Sequence, residues 1–166
     1  MNRAEGRYSF LLLIGTLFGV GYLPRAPGTW GSLLFLPFIY FSYELFGFIG
    51  VISLTIIAFI LSLISAPAAI KRLGEDPGEF VMDECAGQAL VFAITLSLIS
   101  ITPGIAIYLL GFLLFRLFDI IKPFGIKRVE KFRGKFGILV DDLLAGLYAS
   151  ISLMALIYIF SRFSTT

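Results

Sequence analysis

Long apolar segments, separated by short polar stretches, make up most of the chain. The apolar segments cover residues 8–23, 31–46, 48–70, 86–101, 104–121 and 143–160. A helix that crosses the hydrocarbon core of a bilayer needs about 20 apolar residues, within a range of roughly 17–25. We therefore predict an all-α, polytopic membrane bundle with four or five spanning helices. Segment 8–23 is rich in glycine and fits a spanning helix least well, so it either crosses or dips in and returns.

The polar stretches 24–32, 71–84 and 122–142 are predicted to emerge on one side of the membrane. Two apolar segments separate each polar stretch from the next, joined near residues 44–47 and 101–104, and two crossings return the chain to the side that it left. The same side carries ten cations: Arg25, Lys71, Arg72, Arg116, Lys122, Lys127, Arg128, Lys131, Arg133 and Lys135. Positive residues favour the cytoplasmic side. We therefore expect a multi-pass protein of the inner (cytoplasmic) membrane, with this side in the cytoplasm.

Nine of the eleven acidic residues also fall on that side: Glu75, Asp76, Glu79, Asp83, Glu84, Asp119, Glu130, Asp141 and Asp142. The opposite turns carry only Glu44, although Arg162 follows the last segment. Arg3 and Arg7 agree with this orientation only if segment 8–23 is re-entrant or lies at the interface. An active site is accordingly expected at the cytoplasmic rim.

The composition agrees with a membrane protein and narrows the chemistry. Hydrophobic residues make up 58% of the chain, charged residues 14%, and the mean hydropathy is +0.97. The 166 residues fit a single domain, 1–166, and a net charge of +2 gives no sign of nucleic-acid binding. Cys85 is the single cysteine and there is no histidine, which excludes an internal disulfide and the commonest general base. We expect no cleaved signal sequence.

Two acidic motifs precede apolar segments. Asp83 and Glu84 open one segment, where carboxylates favour the helix dipole as simple caps, or else ligate a hard cation. Glu79 and Asp83 are four residues apart and would share a face if the helix includes both. The adjacent pair Asp141 and Asp142 opens the last segment and repels itself unless a metal or cations lie nearby. For Asp141, helix capping is an equally good interpretation.

Basic and hydroxyl groups complete the pattern. Arg116 and Asp119 are three residues apart near the end of an apolar helix and can form an ion pair, with Lys122 reaching towards the interface. The stretch 24–32 is interpreted as a loop before a helix, in which Arg25, Thr29 and exposed backbone N–H groups suit a phosphate; an ordinary turn is the alternative. The cations of 122–135 set the topology and attract anionic lipid.

The motifs do not support phosphatase chemistry that uses a cysteine nucleophile or an aspartyl-phosphate of the Asp-x-Asp type. No Cys-x5-Arg cradle is present, since Val91 stands where the arginine belongs, and there is no Asp-x-Asp motif. The acidic segments and the loop 24–32 together indicate divalent-metal-assisted phosphoryl transfer. The alternative is a small membrane transporter or ion-binding protein that uses the same acids as a cation site.

Four motifs in this order resemble the phosphatidylglycerophosphatase A family. They are Pro27-Gly28-Thr29-Trp30-Gly31-Ser32-Leu33, Asp83-Glu84 with Gly87, Phe115-Arg116-x-x-Asp119-x-x-Lys122-Pro123, and Gly137-Ile138-x-x-Asp141-Asp142-x-x-Ala145-Gly146. The match covers about residues 15–150. Two positions depart from the family pattern, Lys135 after Gly134 and Gly125 after the Lys-Pro pair, and neither is a proposed ligand.

The resemblance implies an Mg²⁺-dependent membrane phosphatase that converts phosphatidylglycerophosphate to phosphatidylglycerol and inorganic phosphate in phospholipid biosynthesis. It implies a catalytic acidic site of Asp83, Glu84, Asp119, Asp141 and Asp142, with Glu79 as a further metal ligand. It also implies substrate binding by Arg25, Gly28, Thr29, Ser32, Arg116 and Lys122. Water is the expected nucleophile, and a covalent intermediate on Thr29 or an aspartate stays open.

Overall fold

Helices are the only regular secondary structure in the part of the chain that the structure describes. The computed structural model describes residues 3–75, 77–99, 102–123 and 135–163, with the backbone alone for 3–4 and 135–138. Its helices are α1 (Arg3–Gly15), α2 (Pro27–Leu73), α3 (Met82–Leu98), α4 (Ile105–Ile121) and α5 (Lys135–Phe163), and a short 3₁₀ turn covers Val20–Tyr22. The predicted all-α class is confirmed. Asp76 and the cations Lys127, Arg128, Lys131 and Arg133 lie outside the described residues.

α2 is a hairpin of two helices, α2a (27–46) and α2b (48–73), that reverses at Gly47. Gly47 has φ +63° and ψ −155°, a backbone conformation open only to glycine. Near the start of α2a, Gly31 lies against Val81, and near the end of α2b, Ser65 lies beside Gly15, whose carbonyl accepts the Val81 N–H at 2.9 Å. A straight helix of 47 residues would be about 70 Å long, so its two ends would not meet at Val81. The predicted reversal near 44–47 is confirmed.

α3 lies at the centre of the bundle, between α2 and α5, and α4 packs on α5. α3 and α5 approach each other through two glycines. A Cβ on Gly87 would lie 2.6 Å from the carbonyl oxygen of Asp142, and one on Gly146 would lie 2.5 Å from that of Gly87. Small residues let helix backbones pack this closely in membrane proteins. This contact fixes the level of α5 against α3.

One end of the bundle collects the polar stretches, and we call it the charged end. Here α2a, α3 and α5 begin, and α2b and α4 finish. The Gly28 backbone at the start of α2a lies against the side chain of Glu84 in the first turn of α3, and Glu84 pairs with Arg116 near the end of α4. Tyr40 and Tyr108 meet closer to the opposite end, with ring centroids 5.7 Å apart. For the described residues, the predicted convergence of the polar stretches is confirmed.

Segment 8–23 is not one helix, so a full crossing by it is wrong. α1 ends at Gly15 after 13 residues, about 20 Å, which is too short for a core of about 30 Å. Positive φ values at Leu17, Phe18 and Gly19 then turn the chain. The Lys71 ammonium lies 4.2 Å from the centroid of the Tyr8 ring, and Gly21 packs on the backbone of Glu79. The segment therefore starts and finishes at the charged end, as expected if it is re-entrant or lies at the interface.

Among the described residues, two helices are long and apolar enough to cross a membrane by length and composition: α2 and the part of α5 from Leu139 to Phe163. α3 and α4 have 17 residues each, at the lower limit for a spanning helix. Large apolar side chains remain exposed along these helices, such as Ile56 on α2b and Leu113 on α4. The fold is consistent with a protein that associates with a membrane through its helix surfaces.

Candidate active site

Arg116 joins two helices at the centre of the charged end. Its Nη1 lies 3.0 Å from Oδ2 of Asp119, one turn along α4, and 3.3 Å from Oε1 of Glu84 on α3. All three side chains are largely buried, with 12–17% of their surface exposed. The predicted Arg116–Asp119 pair is confirmed, and the bond to Glu84 adds an element 32 residues away in sequence.

Lys122 joins α4 to α5 on the other side of this site. Lys122 is the cap residue at the end of α4, and it has a left-handed backbone conformation with φ +48°. Its Nζ lies 2.7 Å from Oδ2 of Asp141. α5 begins at Lys135, six residues before Asp141, so capping does not explain Asp141 and Asp142. Asp142 is 4% exposed and Asp141 7%. These carboxylates lie well inside a helix, beside a cation from the neighbouring helix.

Burial dominates the electrostatics of the first turn of α3. Asp83 is 5% exposed and stands next to Glu84, whose side chain is 17% exposed, so two neighbouring carboxylates lie largely out of water. Oδ1 of Asp83 accepts the backbone N–H of Glu84 at 2.9 Å. Negative charge is therefore crowded here and favours a cationic partner.

α2 begins at Pro27, earlier than the sequence indicated. Residues 27–32 were expected in a loop, but proline fits the first position of a helix because its fixed φ is helical and its missing N–H needs no partner there. Gly28 packs on the carboxylate of Glu84, and Thr29 is half-buried in this first turn. Ser32 is fully buried, and its hydroxyl donates to the Gly28 carbonyl at 2.8 Å.

Two expected site residues stand apart from this network. Arg25 is exposed in a left-handed conformation, φ +61°, and has no ion pair among the described residues. Glu79 precedes α3, which begins at Met82, so it does not share a helix face with Asp83. Within the same described ranges, Glu79 has no ion pair either, and its backbone packs on Gly21.

The acidic residues fit a hard cation by their chemistry more than by their present spacing. Among the described residues, no group of three or more acidic or cysteine side chains forms a ready-made metal site. Two buried oxygens, Oε2 of Glu84 and Oδ1 of Asp142, have no hydrogen-bond partner in the part of the chain that the structure describes. Leaving a buried carboxylate oxygen unpaired is costly. A ligand that accepts electron pairs from oxygen would relieve this cost.

Gln88 is a buried polar residue that the sequence reasoning missed. It lies one turn after Glu84 on α3, is fully buried, and neither atom of its amide group has a partner among the described residues. The sequence contains a feature that could have identified Gln88: it is an amide inside the apolar segment 86–101, and a carboxylate lies four residues before it. It extends the polar site one turn into the bundle.

The arrangement defines a class of protein: a membrane-associated helical bundle whose charged end pairs buried carboxylates with an arginine and a lysine. Such groups suit a phosphate, because Arg116 and Lys122 offer donors and the carboxylates offer a base and cation ligands. The family model for phosphatidylglycerophosphatase A matches residues 13–157. The chain belongs to this family and is a phosphatase.

Relatives agree over most of the chain. A phosphatidylglycerophosphatase A of Haemophilus influenzae is 37% identical over 150 residues, covering 89% of this chain and 88% of the relative. One of Escherichia coli is 31% identical over 146 residues, covering 84% and 78%. A Bacteroides thetaiotaomicron protein, provisionally named a phosphatidylinositol-3-phosphatase, is 37% identical over 153 residues, covering 87% and 92%. No solved structure matches the chain. The family assignment favours the enzyme over the transporter alternative.

Proposed function

We propose that this phosphatase hydrolyses the terminal phosphomonoester of phosphatidylglycerophosphate, giving phosphatidylglycerol and inorganic phosphate, in phospholipid biosynthesis. One observation carries the proposal: Arg116 bridges Glu84 and Asp119 while Lys122 holds Asp141, at the same end of the bundle as the start of α2a. The names of the Haemophilus influenzae and Escherichia coli relatives support this substrate.

In this proposal the chain is a multi-pass protein of the inner membrane, and its charged end faces the cytoplasm. The positive residues of the polar stretches support this orientation. The re-entrant path of segment 8–23 adds to it, because it puts Arg7 on the same side as Lys71 and Arg72. The substrate phosphate would then reach the site from the cytoplasmic leaflet.

Mg²⁺ is the proposed cofactor. It prefers oxygen ligands, takes one or two carboxylates and keeps several waters, so it does not require a ready-made group of three acids. The oxygens would come from a subset of Asp83, Glu84, Asp119, Asp141 and Asp142, and the unpartnered oxygens of Glu84 and Asp142 support this choice. Bound Mg²⁺ would offset charge on the phosphate and make a bound water more acidic.

The residues of the chain would divide the remaining work. Arg116 and Lys122 would turn from their carboxylate partners to the phosphate oxygens, where charge-assisted hydrogen bonds are strongest. A buried carboxylate, Asp142 or Asp83, would take a proton from the attacking water. The water oxygen forms a bond to phosphorus as the bond between phosphorus and the glycerol oxygen breaks, and the carboxyl group then returns the proton to the glycerol oxygen. Thr29 and the backbone N–H groups of the first turn of α2a would bind phosphate oxygens.

The test measures phosphate release from defined lipid phosphates by purified protein. Activity is expected to vanish with EDTA and to return with added Mg²⁺. Full activity in metal-free protein would contradict the metal role, and absence of phosphate release from phosphatidylglycerophosphate would contradict the substrate.

Phosphatidylinositol 3-phosphate is a second candidate substrate, because the Bacteroides thetaiotaomicron relative is as similar to this chain as the Haemophilus influenzae enzyme is. Assaying both lipids in the same detergent and at the same Mg²⁺ concentration separates them. We expect a higher kcat/KM for phosphatidylglycerophosphate, and the reverse order would transfer the proposal to the inositol lipid.

A further inference from the structure

A groove between α2a and α4 takes no part in the phosphate chemistry described above. It has a volume of about 220 Å³ and is lined by Leu36, Pro37 and Tyr40 of α2a and by Ile105 and Leu109 of α4, among others. Tyr40, Leu109 and Ile105 are 38%, 48% and 74% exposed, so the groove opens at the side of the bundle. We call it the α2a–α4 groove.

The α2a wall of the groove leads to the charged end. Thr29, Leu33, Leu36 and Tyr40 are spaced by four, three and four residues, which places them along one face of the helix. Leu36 and Tyr40 line the groove, and Thr29 begins the stripe in the first turn, where we propose that phosphate binds. The residues along this face of α2a therefore change from polar to apolar within about three turns of the helix.

The α4 wall has the same organisation. Arg116, Phe112, Leu109 and Ile105 repeat the spacing of four, three and four residues along one face of α4. Leu109 and Ile105 line the groove, and Arg116 lies about two turns above Leu109 on the same face, paired with Glu84. Both walls therefore carry a proposed phosphate ligand at the charged end and apolar groups below it.

The depth of the groove fits the tail of a lipid whose phosphate lies at the charged end. On α2a, Leu36 lies about 10 Å below Thr29 and Tyr40 about 16 Å below it. On α4, Leu109 lies about 10 Å below Arg116 and Ile105 about 16 Å below it. One leaflet of a bilayer has a hydrocarbon depth of about 15 Å. The groove thus lies at the depth that the lower part of an acyl chain reaches in one leaflet.

We propose that the α2a–α4 groove binds an acyl chain of the phospholipid whose phosphomonoester is held at the charged end. This rests on the proposed function and adds an acyl-chain subsite to it, which the lipid enters sideways from the leaflet. The proposed phosphate ligands lie above the groove on the same helix faces of both walls, and this alignment selects the occupant. The chain contributes binding energy that a soluble phosphomonoester lacks.

Filling the groove tests the proposal. Leu109→Trp places a large ring in the groove, and Leu113→Trp is the control, since Leu113 is 61% exposed on the same helix and is not part of the groove lining. The substrates are dioleoyl and dibutyryl phosphatidylglycerophosphate in the same detergent. Leu109→Trp is expected to lower kcat/KM for the dioleoyl lipid about tenfold, through KM, as when roughly two methylene groups lose their burial. The dibutyryl lipid and the control should change less than twofold.

A second measurement does not depend on this variant. A dioleoyl-length lipid with the same headgroup and a diazirine at mid-chain should cross-link to peptides from 33–41 and 105–112 of the wild-type protein. Cross-links spread over all exposed apolar faces, or an absence of cross-links on the groove peptides, would overturn the proposal. Equal effects of Leu109→Trp on both lipids, or none on either, would also overturn it. Failure of the wild type to release phosphate from any of these lipids would instead contradict the proposed function.

Discussion

The backbone of Gly28 lies directly against the carboxylate of Glu84, so that a Cβ at position 28 would overlap the Glu84 side chain. This contact joins the first turn of α2a to the first turn of α3. It leaves the Glu84 carboxylate between the positive end of the α2a dipole and the guanidinium of Arg116, 3.3 Å away. Glycine at this position is thus needed for the geometry of the charged groups.

Gly28→Ala should reduce activity strongly with little loss of stability. The Glu84 side chain is flexible at its far end and would move away from the new methyl group, which breaks the bond to Arg116. A displacement of about 1 Å at a catalytic group costs on the order of 100-fold in rate. Phosphate release from phosphatidylglycerophosphate measures this effect.

Gly104→Ala is the matched control for that substitution. Gly104 precedes α4 at the opposite end, and a Cβ there meets no atom within 4 Å. Its activity should equal that of the wild type. Equal activity of both alanine variants would show that the Glu84 position is not critical.

The sequence predicted the elements of this site better than their contacts. The hairpin at Gly47 and the Arg116–Asp119 pair followed from segment lengths and from spacing along one helix. The bond from Arg116 to Glu84 did not, because α3 and α4 are apolar on nearly every side and hydropathy does not fix the rotation of such a helix. Only the packed structure shows which faces meet.

Helix ends were the other source of error. The sequence placed the start of α2 after Ser32 and the start of α5 near Asp141, since polar residues there resemble loops and caps. Both helices begin earlier, at Pro27 and Lys135. For α2 the reason is that proline fits the first position of a helix, although the same residue also occurs in loops. The sequence did not decide whether segment 8–23 crosses the membrane or turns back after Gly15. The left-handed residues of that turn include Leu17 and Phe18, which are not typical turn residues.

Arg116→Lys should lower activity about 10- to 100-fold, although the positive charge is kept. Arginine offers a planar fork that binds two oxygens at once, and lysine does not, so one charge-assisted hydrogen bond is lost. Both kcat and KM for the lipid phosphate should change. Arg72→Lys is the control, because Arg72 is exposed and its guanidinium bonds only to the backbone oxygen of Glu5 among the described residues. Wild-type kinetics for Arg116→Lys would contradict a phosphate-binding role.

Asp141→Asn should reduce turnover by about 100-fold or more while the protein still enters the membrane. The substitution keeps the shape but removes the charge that faces Lys122 at 2.7 Å and weakens any bound cation. Lys122→Gln should mainly raise KM, since the remaining carboxylates repel the substrate phosphate. Asp142→Asn is expected to behave like Asp141→Asn.

Lys71→Gln controls for loss of positive charge at the same end. Lys71 lies over the ring of Tyr8 and has no ion pair among the described residues, so its variant should keep normal kinetics. The amount of each variant in the membrane fraction shows whether it has folded. A correctly inserted Asp141→Asn protein with full turnover would exclude this carboxylate from the reaction.

Gly146→Ala should destabilise the bundle by about 1–3 kcal/mol, the usual cost of overpacking. The new Cβ would lie 2.5 Å from the backbone oxygen of Gly87, and a backbone atom moves less easily than the end of a side chain. α5 must therefore shift from α3, which carries Asp142 away from Asp83 and lowers activity as well. Thermal unfolding in detergent measures the first effect and phosphate release the second. Leu147→Ala, at the exposed neighbouring position, should stay within about 0.5 kcal/mol of the wild type. A Gly146→Ala protein as stable and active as the wild type would show that the α3–α5 contact is looser than this packing requires.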